Sequence, residues 1–138
     1  MAYFEDADEL YATIGRLFRE LAEDEEVGPQ FREANTIVRY EHTEPDAAIT
    51  VRLEAEGPAD VDFGESEMEP EVTMTMKADT AHLFWLGRVN VTVALARGQI
   101  KASGPVAKIL KLVPLTKPVF PRYKALLEAQ GRTDLLDV

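Results

Sequence analysis

Val38-Arg39-Tyr40-Glu41-His42-Thr43-Glu44-Pro45-Asp46-Ala47-Ala48-Ile49-Thr50-Val51-Arg52-Leu53-Glu54-Ala55 is the stretch on which the fold turns. Val38 and Tyr40 alternate with Arg39 and Glu41, and Ile49, Val51, Leu53 and Ala55 alternate with Thr50, Arg52 and Glu54. A period of two puts one side of a strand in the core and the other in water. Thr43-Glu44-Pro45-Asp46 is turn chemistry, so the two runs predict a β-hairpin.

Upstream the period is helical. Leu10, Ile14, Leu17, Phe18 and Leu21 share one face, with Glu9, Arg16, Arg19, Glu20 and Glu23 on the other. Asp6 and Glu9 have the spacing of a capping box, Gly28-Pro29 is expected to close the region, and a short helical turn is expected around Phe31. Downstream, residues 57–71 carry six acids, no base and the breakers Gly57, Pro58, Gly64 and Pro70, which reads as a loop.

Alternation resumes at Val72, Met74 and Met76. Asp79 is placed to cap a short helix through Ala81, Leu83, Phe84, Trp85 and Leu86, which Gly87 ends. Val91, Val93 and Leu95 predict a strand, Arg97-Gly98 a turn, and Ile100 and Ala102 a fifth strand. Gly104-Pro105 opens a helix with Val106, Ile109, Leu110 and Val113 on one face, and a final helix carries Tyr123, Leu126 and Leu127 to Gly131. The expected architecture is α+β, a five-stranded mainly antiparallel sheet with helices packed on one face. The 138 residues, 46% hydrophobic, suit a single domain spanning residues 1–138.

Composition narrows the chemistry. There is no cysteine, which removes thiol catalysis, disulfides and thiolate metal sites. His42 and His82 are the two histidines, too few for a three-histidine zinc site, and neither sits in a nucleophile motif; with Tyr40 they are the acid–base candidates a catalytic reading would need. Asp60, Asp62 and Glu71 fit the first, third and twelfth places of a calcium loop, but Glu65 occupies the sixth, where glycine is required. No cofactor or metal is expected. Apolar runs are shorter than a membrane span, and neither a signal peptide nor a Ser-Lys-Leu ending is present, so a cytoplasmic location is expected.

The net charge of −10 is unevenly spread: residues 1–71 carry −16 and residues 72–138 carry +6. The overall acidity argues against nucleic-acid binding. The basic half suits weak, transient contact with an anionic membrane surface through Lys101, Lys108, Lys111, Lys117, Arg122 and Lys124.

Leu83-Phe84-Trp85-Leu86-Gly87-Arg88-Val89, then Val91-Thr92-Val93-Ala94, Gly98-Gln99-Ile100-Lys101-Ala102-Ser103-Gly104 and Ile109-Leu110-Lys111-Leu112, resemble the sterol carrier protein 2 (SCP-2) family. There a short helix ends in glycine plus a basic residue, and a glycine-flanked strand leads into a leucine-rich helix. The resemblance implies a five-stranded sheet covered by helices around an apolar tunnel for a fatty acid, acyl-CoA or sterol-like lipid. By position it implies a lining of Met74, Met76, Phe84, Leu86, Val91, Val93, Ile109, Leu110 and Val113, with Phe120, Tyr123 and Leu126 from the closing helices. Trp85, the only tryptophan, is expected to report occupancy. Each buried methylene contributes about 0.8 kcal/mol, so ten supply roughly 8 kcal/mol before ordering costs. The expected function is non-catalytic lipid binding and transfer. The alternative is a protein-interaction or regulatory module that keeps the fold with a filled core.

Overall fold

A computed structural model of the chain describes residues 2–54 and 59–138, apart from the side chain of Val106. The expectations placed on Ala55, Gly57, Pro58 and the Val106 side chain lie outside what is described. The chain opens with α1 (Ala7–Leu10), widens into a π turn (Tyr11–Gly15) and continues as α2 (Arg16–Glu23). Asp6 caps this run by accepting from the Glu9 N–H at 2.9 Å, while the Glu9 carboxylate accepts from the Glu5 N–H, one residue earlier than a strict capping box requires. Gly28-Pro29 does not close the helix. The helix stops at Asp24, whose carboxylate accepts from the N–H groups of Glu26 and Val27, and Pro29 instead sits in the first turn of α3 (Gly28–Arg32).

The hairpin forms as β1 (Thr36–Thr43) and β2 (Ala47–Leu53), and the remaining strands are β3 (Asp60–Phe63), β4 (Val72–Lys77) and β5 (Ile100–Ser103). They make a five-stranded sheet ordered β3-β2-β1-β4-β5, antiparallel except between β1 and β4. In this register Val38 and Tyr40 stand beside Val51 and Ile49 on one side and beside Val72 and Met74 on the other. One face is therefore apolar, and Arg39, Glu41, Thr50, Thr73 and Thr75 alternate onto the opposite face. The parallel pair requires the chain to leave β3 at one edge and return beyond β1. Residues 64–71 make that passage, held by Arg39 donating to the Gly64 carbonyl and by the Glu71 N–H donating to Ile37.

Two elements differ from the sequence reading. Val91–Ala96 is a helix, α5, not a strand: Asn90 accepts from the Val93 N–H at 3.1 Å, and Gly98, at φ +73°, follows its end. A cap and a stop eight residues apart outweigh the strand preference of Val91, Thr92 and Val93. The fifth strand is instead β3, inside the segment read as a loop; Val61 and Phe63 alternate with Asp60 and Asp62 and pair with Val51 and Ile49. Four residues among so many acids give a period-two signal that is legible only beside its partner.

The remaining helices are α4 (Ala78–Trp85), α6 (Val106–Leu115) and α7 (Phe120–Ala129). Asp79 does not cap α4. The cap residue is Lys77, and Asp79 accepts from the Tyr3 N–H at 2.8 Å, tying the start of the chain to this helix. Gly87 does stop α4, at φ +82°, and Phe120 packs so near that a Cβ there would meet the ring at 2.9 Å. The core runs between the apolar sheet face and these helices, with Phe4, Leu10, Ile14, Leu17, Ile49, Val72, Trp85 and Leu127 almost wholly buried.

Candidate apolar binding site

Tyr40 stands on the central strand with its ring on the apolar face, and a cavity opens on each side of it. The first, of about 20 Å³, lies between the β1–β2 hairpin and α2–α3 and is lined by Phe18, Leu21, Ala22, Gly28, Phe31, Tyr40, Val51, Leu53 and Ala59. The second, of about 30 Å³, lies over β4 and β5 beneath α4, α5 and α6; its lining is Tyr40, Met74, Met76, Phe84, Val91, Ile100, Ile109, Leu112, Val113 and Thr116. Each is large enough for a water or two and far smaller than an acyl chain, so any guest must displace side chains. The linings suit such movement. Met74 and Met76 are unbranched and adaptable, and Thr116, whose hydroxyl donates to the Val113 carbonyl at 2.7 Å, presents little free polarity.

Between the cavities the rings are in contact. Phe18 lies 5.0 Å from Tyr40 and 5.2 Å from Trp85, and Tyr40 lies 6.2 Å from Trp85, centroid to centroid. Burial pushes the Tyr40 hydroxyl far above the ordinary phenol range, so it stays protonated.

Of the expected lining, Met74, Met76, Phe84, Val91, Ile109 and Val113 do border the second cavity. Leu110 and Val93 border neither; they are 65% and 42% exposed, on the outer faces of α6 and α5. The inner stripe of α6 is Ile109, Leu112, Val113 and Thr116, spaced i, i+3, i+4 and i+7. A helix reading Ile-Leu-Lys-Leu-Val-Pro-Leu offers two overlapping apolar stripes, and only packing selects one. Val93 faces outward because α5 is a helix whose buried residue is Ala94. Trp85 and Leu86 are buried in the core, and Phe120 packs on Phe84 at 6.2 Å, none of the three bordering either of these two cavities. Leu126 flanks a separate groove between α2 and α7 with Asp24 and Arg122.

Tyr123 belongs to a polar cluster. It meets His82, which is fully buried between the Tyr123 hydroxyl and the Leu135 carbonyl, each at 2.8 Å. His42 is also buried, its Nδ1 3.1 Å from the Ala47 carbonyl. Burial lowers the pKa of both, to about 4 for His42, so both rings are neutral at pH 7. In each case the partners are the chain's own carbonyls and phenol rather than a nucleophile.

The expected lining includes no residue of the first cavity, and none of Tyr40, Ile100, Leu112 and Thr116 in the second. The signal is present in the sequence: Tyr40, Val51 and Leu53 fall on apolar positions of the hairpin, and Phe18 and Leu21 on the apolar stripe of the opening helix. Among the described residues no group of three or more His, Asp and Glu is placed to hold a metal. Asp60 instead pairs with Arg52, Asp62 accepts from Ser66, and Glu71 accepts from Thr36. No helix among them is long and apolar enough to cross a membrane.

The fold and cavities define a class: an α+β protein with one sheet face covered by helices that leave apolar slots above the central strand. The chain matches the model of the SCP-2 sterol transfer family over residues 14–117 and belongs to that family, a membership that supports lipid binding or transfer in general. Solved structures share the fold. The sterol carrier protein domain 2 of Helicoverpa armigera superposes with a TM-score of 0.64 at 18% identity, covering 79% of this chain and 89% of that one. Sterol carrier protein 2 of Yarrowia lipolytica, in its apo form, gives 0.62 at 15% identity, covering 82% and 91%. The same fold is found within the stereoselective inverting sec-alkylsulfatase Pisa1 of Pseudomonas sp., with a TM-score of 0.52 at 18% identity, covering 71% of this chain and 15% of the larger one. No curated protein matches the chain in sequence.

Proposed function

We propose that the chain, residues 1–138 acting as one unit, is a non-catalytic carrier that binds a fatty acyl or sterol-like lipid between its apolar sheet face and α2–α6. The observation that carries this reading is the pair of apolar cavities meeting at Tyr40 beneath compliant side chains. A hydrophobic guest needs apolar area and no fixed polar partner, and the two buried histidines are engaged within the fold.

Charge gives the carrier a working side. From Thr80 to Leu127 there is no acid and there are eight Lys or Arg residues, and this stretch supplies α5, β5 and α6, which cover the second cavity. Two of the expected membrane-facing cations are occupied elsewhere: Lys108 donates to the Ala34 and Asn35 carbonyls, and Arg122 pairs with Asp24. Lys101, Lys111, Lys117 and Lys124 remain exposed, as does Leu110. Each contributes up to about 1 kcal/mol against an anionic bilayer and less as salt rises, so contact is weak and transient.

Native mass spectrometry of the purified protein, with lipid extraction, tests the reading. A bound lipid, or saturable quenching of Trp85 on titration with palmitic acid, is the expected result. The small volume of both cavities favours one rival, an interaction module whose core is already filled; protein that neither retains lipid nor takes up palmitic acid would establish it.

A further inference from the structure

We propose that Tyr40 is a specificity-determining partition: it admits a single flexible acyl chain threaded through both cavities and rejects a rigid fused-ring sterol. The inference rests on the lipid-carrier reading and narrows it to one class of guest.

The sheet order sets the geometry. β1 is the middle strand, the first cavity lies on its β2 side and the second on its β4–β5 side, and Tyr40 borders both. The cavities therefore flank one strand, and Tyr40 is the residue their linings share. Above the Tyr40 ring stand Phe18 from α2 and Trp85 from α4, in mutual contact at 5.2 Å. Phe18 is 7% exposed and Trp85 2%, each held by its own helix. Tyr40 is the looser of the three: it is less deeply buried, and its hydroxyl hydrogen-bonds to no described residue, although a buried tyrosine ordinarily secures its O–H. A rotation of this one ring joins the cavities without breaking a described hydrogen bond.

The two classes of guest make different demands on that junction. A saturated chain is about as wide as a methylene, adopts gauche bends, and needs the Tyr40 ring alone to turn. A sterol nucleus is a rigid plate. Phe18 and Trp85 stay in contact above the junction, so a plate that spans it needs the full width the Tyr40 ring occupies, more than a turn of that ring frees, and to stay on one side it must expand a cavity with room for only a water or two. Neither cavity alone takes a long chain, so affinity should rise steeply once the chain reaches past Tyr40.

The test is equilibrium binding of octanoic acid, palmitic acid and dehydroergosterol to wild type, Tyr40→Leu and Tyr40→Ala, with circular dichroism on each variant. Wild type is expected to bind palmitic acid at least 10-fold more tightly than either octanoic acid or dehydroergosterol. Tyr40→Leu, which keeps apolar bulk and safeguards the fold if Tyr40→Ala does not survive, should improve dehydroergosterol relative to palmitic acid by at least 5-fold. Wild type that binds dehydroergosterol as tightly as palmitic acid, or a folded variant with an unchanged ratio, overturns the partition and leaves the carrier reading standing. Wild type that binds none of the three overturns both.

Discussion

His82 and Tyr123, 41 residues apart in the chain, meet in the core with Nδ1 2.8 Å from the phenol oxygen. The Leu135 carbonyl, 2.8 Å from Nε2, only accepts, so the ring proton of neutral His82 sits on Nε2 and Nδ1 accepts from the Tyr123 hydroxyl. One imidazole thus joins α4, α7 and the C-terminal segment, which Arg88 also holds by donating to the Leu136 and Val138 carbonyls. Removing the hydroxyl in Tyr123→Phe leaves a buried acceptor unpaired and should cost ~1–3 kcal/mol. Urea denaturation of the two proteins measures it; equal midpoints would contradict the assignment.

Acid should unfold the protein earlier than its carboxylates alone would. Both histidines are kept neutral by burial, and the unfolded chain takes up their protons near the ordinary value of 6.5, so the unfolded state binds more protons as pH falls. The stability they supply is fully present above about 6.5 and is lost as pH falls toward the folded value, about 4 for His42, a loss on the order of 3 kcal/mol for that residue. Thermal melts from pH 8 to pH 5 should be flat above 7 and decline below 6.5. A melting temperature constant down to pH 5 would refute this.

Gly15 lets the π turn lie against β3. A Cβ there would sit 2.6 Å from Phe63 Cζ, and that ring is held by Tyr11, stacked at 4.8 Å, and by the Arg19 guanidinium at 4.2 Å. Gly15→Ala should destabilise by ~1–3 kcal/mol, which exceeds the ~0.5–1 kcal/mol that alanine gains over glycine in a helix. Phe63→Leu in the same background should recover part of the loss; stabilisation by Gly15→Ala would show that the ring gives way freely.

The two leucines of α6 should behave oppositely. Leu110→Trp, on a residue 65% exposed, should change stability by less than ~0.5 kcal/mol and leave palmitic acid binding intact. Leu112→Trp fills the second cavity and should weaken palmitic acid at least 10-fold. Paired melts and titrations decide it, and the reverse order of effects would return Leu110 to the inner face.

Vesicle association should follow the exposed cations that pair with no described residue. Lys111→Glu with Lys117→Glu should abolish binding to anionic vesicles at low salt, whereas Lys108→Ala should act through stability, since its ammonium already ties α6 to the Ala34 and Asn35 carbonyls. Sedimentation with anionic and neutral vesicles at two salt concentrations separates these effects. Equal binding to both vesicle types would rule out the electrostatic contact.

By itself the sequence determined what local period and local chemistry decide: the Val38–Leu53 hairpin with its turn at Glu44-Pro45-Asp46, the amphipathic opening helix capped by Asp6, and the stop of α4 at Gly87. These depend on neighbours within a few residues, so the pattern and its cause lie in the same window. Of the residues placed by family position, Met74, Met76, Phe84, Val91, Ile109 and Val113 border one cavity, while Trp85, Leu86, Val93, Leu110, Phe120, Tyr123 and Leu126 border neither of the two. Tertiary structure decided what depends on distant partners. Asp60–Phe63 is a strand because β2 stands beside it, and β1 runs parallel to β4 because residues 64–71 carry the chain across the polar face. Leu112 rather than Leu110 faces inward because a helix that is apolar almost all round takes its orientation from the surface it packs on. Tyr40 borders both cavities for the same kind of reason: the hairpin pairs it locally with Ile49, but its place between β2 and β4 also needs the pairing with Met74, 34 residues away, that no short window contains.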